Sequence, residues 1–295
     1  SKYYSTKLGI HYGENRKGIY YQDTLPGVTL GAIVFPNGTL MIDSPLRSED
    51  ARSWRAMLLN MGTSTKRFLV NLDAHPDRTL GSRAMESTIV THTNTAEELK
   101  FRPSVFKGHS LVSGAEWEIN EQVIGTRWIH PVITFNKQML FHLNETEVIL
   151  EHHPGPSSGA IWVIIPSSKV VFIGDTVVPD QPPFLAQADI PAWIESLNLL
   201  SKSYRNYITV SGRGGPIPIE TVRSQKTFLN KALKGLERLA NRESPPEKTE
   251  SLCKRLLKGF SIPPNRKTQY FNRLQHGLFQ YYMSNYQVGK DSDSG

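Results

Sequence analysis

The residues able to do chemistry in this chain gather in four short stretches. Residues 71–81 read NLDAHPDRTLG. Loops of the form H-x-H-x-D-H hold zinc because closely spaced imidazoles and a carboxylate can converge on one ion at about 2.0–2.3 Å. Here Asp73 stands where the first histidine would, and Arg78 where the last would, while His75 and Asp77 keep the pattern. A second stretch, EHHPGPSSGAIWVIIPSSKVVFIGD at 151–175, runs from His152 and His153 through a glycine–proline loop to Asp175. A third, VSGRGGPI at 210–217, carries Arg213 in a glycine loop, and a fourth, LMIDSP at 40–45, places Asp43 after an apolar run.

Two chemistries are open to these residues. Asp73, His75, Asp77 and Asp175 form a mixed carboxylate–imidazole set that suits one divalent ion such as zinc, manganese or iron, with His153 able to join if its loop swings inward. Arg78 and Arg213 point the other way, because a guanidinium stays protonated and offers a metal no lone pair. Two arginines bring the same +2 as a zinc ion, and each can grip Asp77 or Asp175 by paired hydrogen bonds. In that case the pocket holds no metal.

Stepping outward, the first half of the chain alternates apolar β-rich runs with helical periodicity. VTLGAIVF (28–35) and GTLMID (38–43) are expected strands joined by a turn at 36–38. SEDARSWRAMLLNMG (48–62) has helical spacing, with Ala51, Trp54, Met57 and Leu58 on one face. KRFLVNL (66–72) and STIVTH (87–92) are further strands, with helices expected to start near Thr79 and over 93–101. This order predicts α/β layering and puts 71–81 at the carboxyl end of a strand, where open α/β sheets place their chemistry.

The middle reads as six strands: EWEIN, WIHPVITF, QMLFHL, TEVILEHH, GAIWVII and KVVFIGD. Helices are expected over 189–202, 217–240, 249–259 and 266–284, a strand over 206–212, a break at 243–248, and a disordered tail, GKDSDSG.

The chain has 295 residues, 38% of them hydrophobic, and a formal charge of +7, within the range of ordinary globular chains. From Val222 onward fourteen Lys/Arg face six Asp/Glu, an excess larger than the charge of the whole chain. A basic quarter of this kind can meet nucleic acid, an anionic membrane or an acidic partner, or simply form a solvated helical face, and the spaced lysines favour the last. Its one cysteine, Cys253, excludes an internal disulfide and fits a reducing, cytoplasmic compartment. No apolar run is long enough to span a bilayer, and no charged-then-apolar signal segment opens the sequence, which begins with Ser1.

Taken in order and spacing, the four stretches resemble the metallo-β-lactamase superfamily over roughly residues 17–240. The resemblance implies a four-layer αββα sandwich over 1–242 followed by a basic helical extension over 243–295. It places the family's metal positions on Asp73, His75, Asp77, Arg78, Pro156, Asp175 and Arg213, of which His75, Asp77 and Asp175 match. Asp43 is expected to support the loop through backbone hydrogen bonds. The function so implied is hydrolysis of a small ester, thioester or lactone, at most weakly dependent on a single metal ion. Asp77 and Asp175 would then be catalytic, and Arg78 and Arg213 substrate-binding. The alternative is an inactive, metal-free member whose arginine–carboxylate pocket binds an acidic ligand or a protein partner. Nucleic acid is disfavoured, because the long insert of RNA-processing members is missing. Pairing of two chains through the last helices is open.

Overall fold

Period-2 alternation decides how the strands stack. In Ile161–Ile165 the side chains of Ile161, Val163 and Ile165 enter one core while Trp162 and Ile164 enter another, as successive Cβ atoms point to opposite faces. Leu40 and Ile42 likewise face inward while Met41 faces the other side. Strands buried on both faces require helices outside both sheets. The computed structural model, which describes residues 2–5, 11–62, 64–108 and 112–287, has that αββα layering.

The first sheet contains β1 (Lys2–Ser5), β2 (His11–Arg16), β3 (Ile19–Gln22), β4 (Leu30–Phe35), β5 (Gly38–Ile42), β6 (Arg67–Val70), β7 (Thr88–His92) and β8 (Ile133–Phe135), side by side in chain order. Pairing is antiparallel as far as β5 and parallel from β5 to β8. Parallel neighbours need crossovers. These are α1 (Ser48–Met61), then α2 (Pro76–Thr79) with a 3₁₀ turn over Leu80–Met85, then α3 (Thr93–Lys100). Ala51, Trp54, Met57 and Leu58 of α1 pack on Leu30, Ala32, Met41 and Leu69, the helical face expected from the sequence.

The second sheet orders β14 (Gly215–Ile217), β13 (Ile208–Ser211), β12 (Val170–Phe172), β11 (Ile161–Ile165), β10 (Thr146–His152) and β9 (Gln138–Leu143). α4 (Ile190–Ser203) crosses between the parallel pair β12 and β13. α5 (Ile219–Asn241), α6 (Thr249–Leu257) and α7 (Lys267–Tyr282) follow. Leu252 and Cys253 of α6 and Leu274, Leu278, Tyr281 and Tyr282 of α7 enter the same core as Trp193 and Leu197 of α4 and Leu229 and Leu236 of α5. The last two helices therefore complete the outer layer. No helix among the described residues is long and apolar enough to cross a membrane.

Several expected elements differ. EWEIN forms a 3₁₀ turn over Glu116–Ile119, followed by another over Glu121–Val123, and not a strand, because its first amides are turned toward a buried carboxylate. Of WIHPVITF only 133–135 is strand. Pro131 supplies no N–H for a ladder, and Trp128 packs instead on Leu46 and Leu80. The helix expected near Thr79 begins at Pro76, whose missing N–H suits a first helical position. A short strand at 215–217 delays the helix expected from 217 until Ile219. The expected disordered tail lies outside the described residues.

Candidate functional site

The carboxyl ends of β5, β6 and β12 and the loop after β13 meet at one edge of the sandwich. β6 leads into Asn71-Leu72-Asp73, and His75 then caps α2, its Nδ1 accepting from Asp77 N at 3.2 Å. Asp43 follows β5 in the left-handed region (φ 59). Its Oδ1 accepts from Leu72 N at 2.9 Å, the expected backbone support. Asp175 sits in the 3₁₀ turn Gly174–Thr176 after β12, and Arg213 follows β13. Gly212 lets these two turns touch, since a Cβ there would lie 2.6 Å from the Gly174 carbonyl carbon and 2.8 Å from Asp175 Oδ1.

Arg78 lies at the centre and is fully buried. Its Nη1 donates to Asp43 Oδ2 at 2.6 Å, while Nε stands 2.8 Å from Asp73 Oδ1 and Nη2 2.7 Å from Asp175 Oδ1. Only the Asp43 contact is aligned as a hydrogen bond; the other two are close ion contacts whose N–H directions miss the oxygens. Arg213, 4% exposed, donates from Nη1 to Asp77 Oδ2 at 2.9 Å and from Nε to both oxygens of Asp175 at 3.2 and 3.3 Å. Its Nη2 is buried with no partner. Asp77 also accepts from Glu116 N at 3.0 Å and Trp117 N at 2.9 Å, which makes it the cap of the 116–119 turn. Asp73 Oδ1 accepts from His75 N at 2.8 Å.

The electrostatics follow from burial and pairing. Burial pushes Asp175 up, but the adjacent Arg213 and Arg78 outweigh it and hold the carboxyl well below its usual range. Asp77 is likewise held down against burial, by His75, Arg213 and the two turn amides. Burial lowers His75 to about 4, so at neutral pH the ring is neutral and the charge holding Asp77 ionised is that of Arg213. Asp43 is raised to about 7, because complete burial exceeds the attraction of Arg78. Both arginines are held above their ordinary value despite burial, by the carboxylates around them.

The structure thus joins Asp73, His75, Asp77, Arg78, Asp175 and Arg213, and adds Asp43 as a direct ion partner. It does not bring in His153, whose ring stacks on Trp162 with centroids 3.7 Å apart and whose Nε2 faces Glu151 at 3.7 Å. Three contributors were invisible in the sequence. Phe184 lies against His75 at 4.5 Å between ring centroids, with the guanidinium carbons of Arg213 and Arg273 at 4.8 and 4.3 Å from its centroid. Arg273 of α7 donates from Nε and Nη2 to Gly114 O at 3.0 and 2.9 Å. His276 lines a cavity of about 260 Å³ with His75, Pro156 and Asp175. A second cavity of about 440 Å³ lies on the other side of Arg213, walled by Asp23, Glu116, Gln181 and Tyr270. Among the described residues no group of three or more His, Cys, Asp or Glu side chains is arranged to hold a metal ion.

Comparison with known proteins agrees with this architecture. The metallo-beta-lactamase superfamily profile matches residues 74–207. The stereoselective inverting sec-alkylsulfatase Pisa1 from Pseudomonas sp. superposes with a TM-score of 0.69 at 13% identity, over 96% of this chain and 51% of that one. The chain thus spans about half the length of that sulfatase. A metallo-beta-lactamase from Pontibacter korlensis superposes with a TM-score of 0.54 at 18% identity, over 78% of this chain and 99% of that one. DIM-1 metallo-beta-lactamase gives 0.58 at 15% identity, over 79% and 100%. No curated protein matches the sequence. With the αββα layers in place and the family profile matching part of the first motif stretch and all of 151–175, the chain has the fold of metallo-β-lactamase superfamily proteins and is similar to that family over residues 74–207.

Proposed function

We propose that this protein is a metal-independent, ligand-binding member of its superfamily and not a metallohydrolase. The observation that carries this reading is Arg78, buried completely among Asp43, Asp73 and Asp175 at 2.6–2.8 Å. A divalent ion needs three or four lone pairs converging on it. Here the Asp175 oxygens face two guanidinium groups, the Asp77 oxygens face Arg213 and two amides, and His75 Nδ1 accepts from a backbone N–H. Pro156 offers no donor at its position. The residues do not fit the family's metal.

The ligand reading rests on Arg213. Its unpartnered Nη2 is a buried donor of the kind folded proteins leave unsatisfied only with reason. Arg213 also forms a wall of the 440 Å³ cavity, which falls within the roughly 300–1,000 Å³ range of small-molecule sites. A small ligand with an acidic or carbonyl oxygen against this nitrogen completes the guanidinium. The test is metal analysis of the purified full chain, with melting curves in chelator and in added zinc, manganese and iron. The expected result is no stoichiometric ion and an unchanged melting temperature. A stoichiometric ion placed by anomalous scattering between Asp77 and Asp175 overturns the reading.

A further inference from the structure

A larger cavity lies away from the cluster, between the first half of α5 and the chain leaving α6. Its volume is about 600 Å³, again that of a small-molecule site. Phe228 and Phe260 form an apolar floor, ring edge against ring face at 5.2 Å. Arg223, Lys231 and Arg255 stand on its walls, and none has an ion-pair partner among the described residues. Asp180 and Glu220 also line it, so the wall keeps one net positive charge. Gln225 reaches the same wall and is 6% exposed. Its Oε1 accepts from Val178 N at 3.4 Å, but its Nε2 donors are buried with no partner.

These observations call for one kind of occupant. An orphaned buried amide N–H needs an acceptor oxygen. Unpaired cations beside it favour an anionic one. The paired phenyl rings favour an apolar body, since each apolar area removed from water adds to binding. A free metal ion, a cation and a purely polar anion each leave one of these features unused. We propose that this cavity binds a free amphipathic carboxylate, its head among Arg223, Lys231, Arg255 and Gln225 and its chain on Phe228 and Phe260. The site is independent of the Arg78–Arg213 cluster, so neither proposal depends on the other.

The test is calorimetric titration of the full chain with decanoate, decanol and acetate, and sedimentation with vesicles of anionic and of zwitterionic lipid. Saturable one-to-one binding of decanoate is expected, with decanol and acetate each at least about tenfold weaker. Lys231→Ala/Arg255→Ala removes two exposed cations outside the core and is expected to weaken decanoate at least about tenfold. Gln225→Leu, which removes the orphaned donor, is expected to weaken it further. Equal affinity for decanol, unchanged decanoate binding by the double variant, or binding to anionic vesicles with none to free decanoate would each overturn the proposal.

Discussion

Replacing Arg78 with methionine keeps the bulk of the side chain and removes its charge. Asp43, Asp73 and Asp175 then lose their shared cation in a site from which water is excluded. Breaking a buried ion pair by removing one partner costs about 3–5 kcal/mol. The three contacts do not triple this figure, because each carboxylate keeps a donor: Leu72 N for Asp43 at 2.9 Å, His75 N for Asp73 at 2.8 Å and Arg213 Nε for Asp175 at 3.2 Å. The expected cost is the upper end, about 5 kcal/mol, against a total stability of about 5–15 kcal/mol for folded domains. At roughly 2–4 °C per kcal/mol the melting temperature falls by roughly 10–20 °C. The sign of the pH dependence is a second readout. Without Arg78 the carboxyl of Asp175 loses one of the two cations that hold it below its usual range, and Asp43, already raised to about 7 by burial, is pushed higher, so the native variant binds more protons than the native parent and recovers stability relative to it as pH falls from 7 toward 5. Urea unfolding of both proteins at pH 7 and pH 5 measures both effects. A loss below about 1 kcal/mol, the range of an exposed pair, or a loss that grows as pH falls would refute the reasoning.

Asp77→Asn keeps the cap shape but weakens the hold on Glu116 N and Trp117 N and strips Arg213 Nη1 of its charge partner. Amide hydrogen exchange at 116 and 117 is expected to speed up before exchange elsewhere, with a cost of about 3 kcal/mol. Burial, with a smaller push from His152, lowers His153 to about 4. Between pH 6.5 and 4 the unfolded chain then takes up a proton that the native chain does not, so stability is lost as pH falls through that window, by up to about 3 kcal/mol. His153→Phe, which keeps the stack on Trp162, is expected to flatten that part of the pH–stability curve. Gly114→Ala places a Cβ 2.3 Å from Gln269 O at φ +64, and is expected to loosen α7 and Arg273 together, read as increased proteolysis near 267–282.

Much of the layering was legible locally. The alternation of 161–165 and 40–42, the helical face of 48–61 and the turn at 36–38 are short-range patterns, and each appears where its period required. That Asp73, Arg78, Pro156 and Arg213 stand at the positions where the resemblance expects ligands was an expectation from order and spacing alone. The failures share a cause. EWEIN alternates like a strand, yet its amides turn toward Asp77, about forty residues earlier in the chain.

The sequence alone therefore determined most of the elements, the sheet edge at which the four stretches gather, and the residue types present there. It left open which arginine meets which carboxylate. Tertiary structure decided that Arg78 takes Asp43, Asp73 and Asp175 while Arg213 spans Asp77 and Asp175. It also decided that Arg273 and His276 of the last helix reach the same region. Apart from Arg78–Asp73, which are near in sequence, these ion contacts join residues 35 to 136 positions apart. No local periodicity encodes such a pairing; it follows from where two packed sheets bring their loop ends, and from the cost of leaving any of these charges unpaired once water is gone.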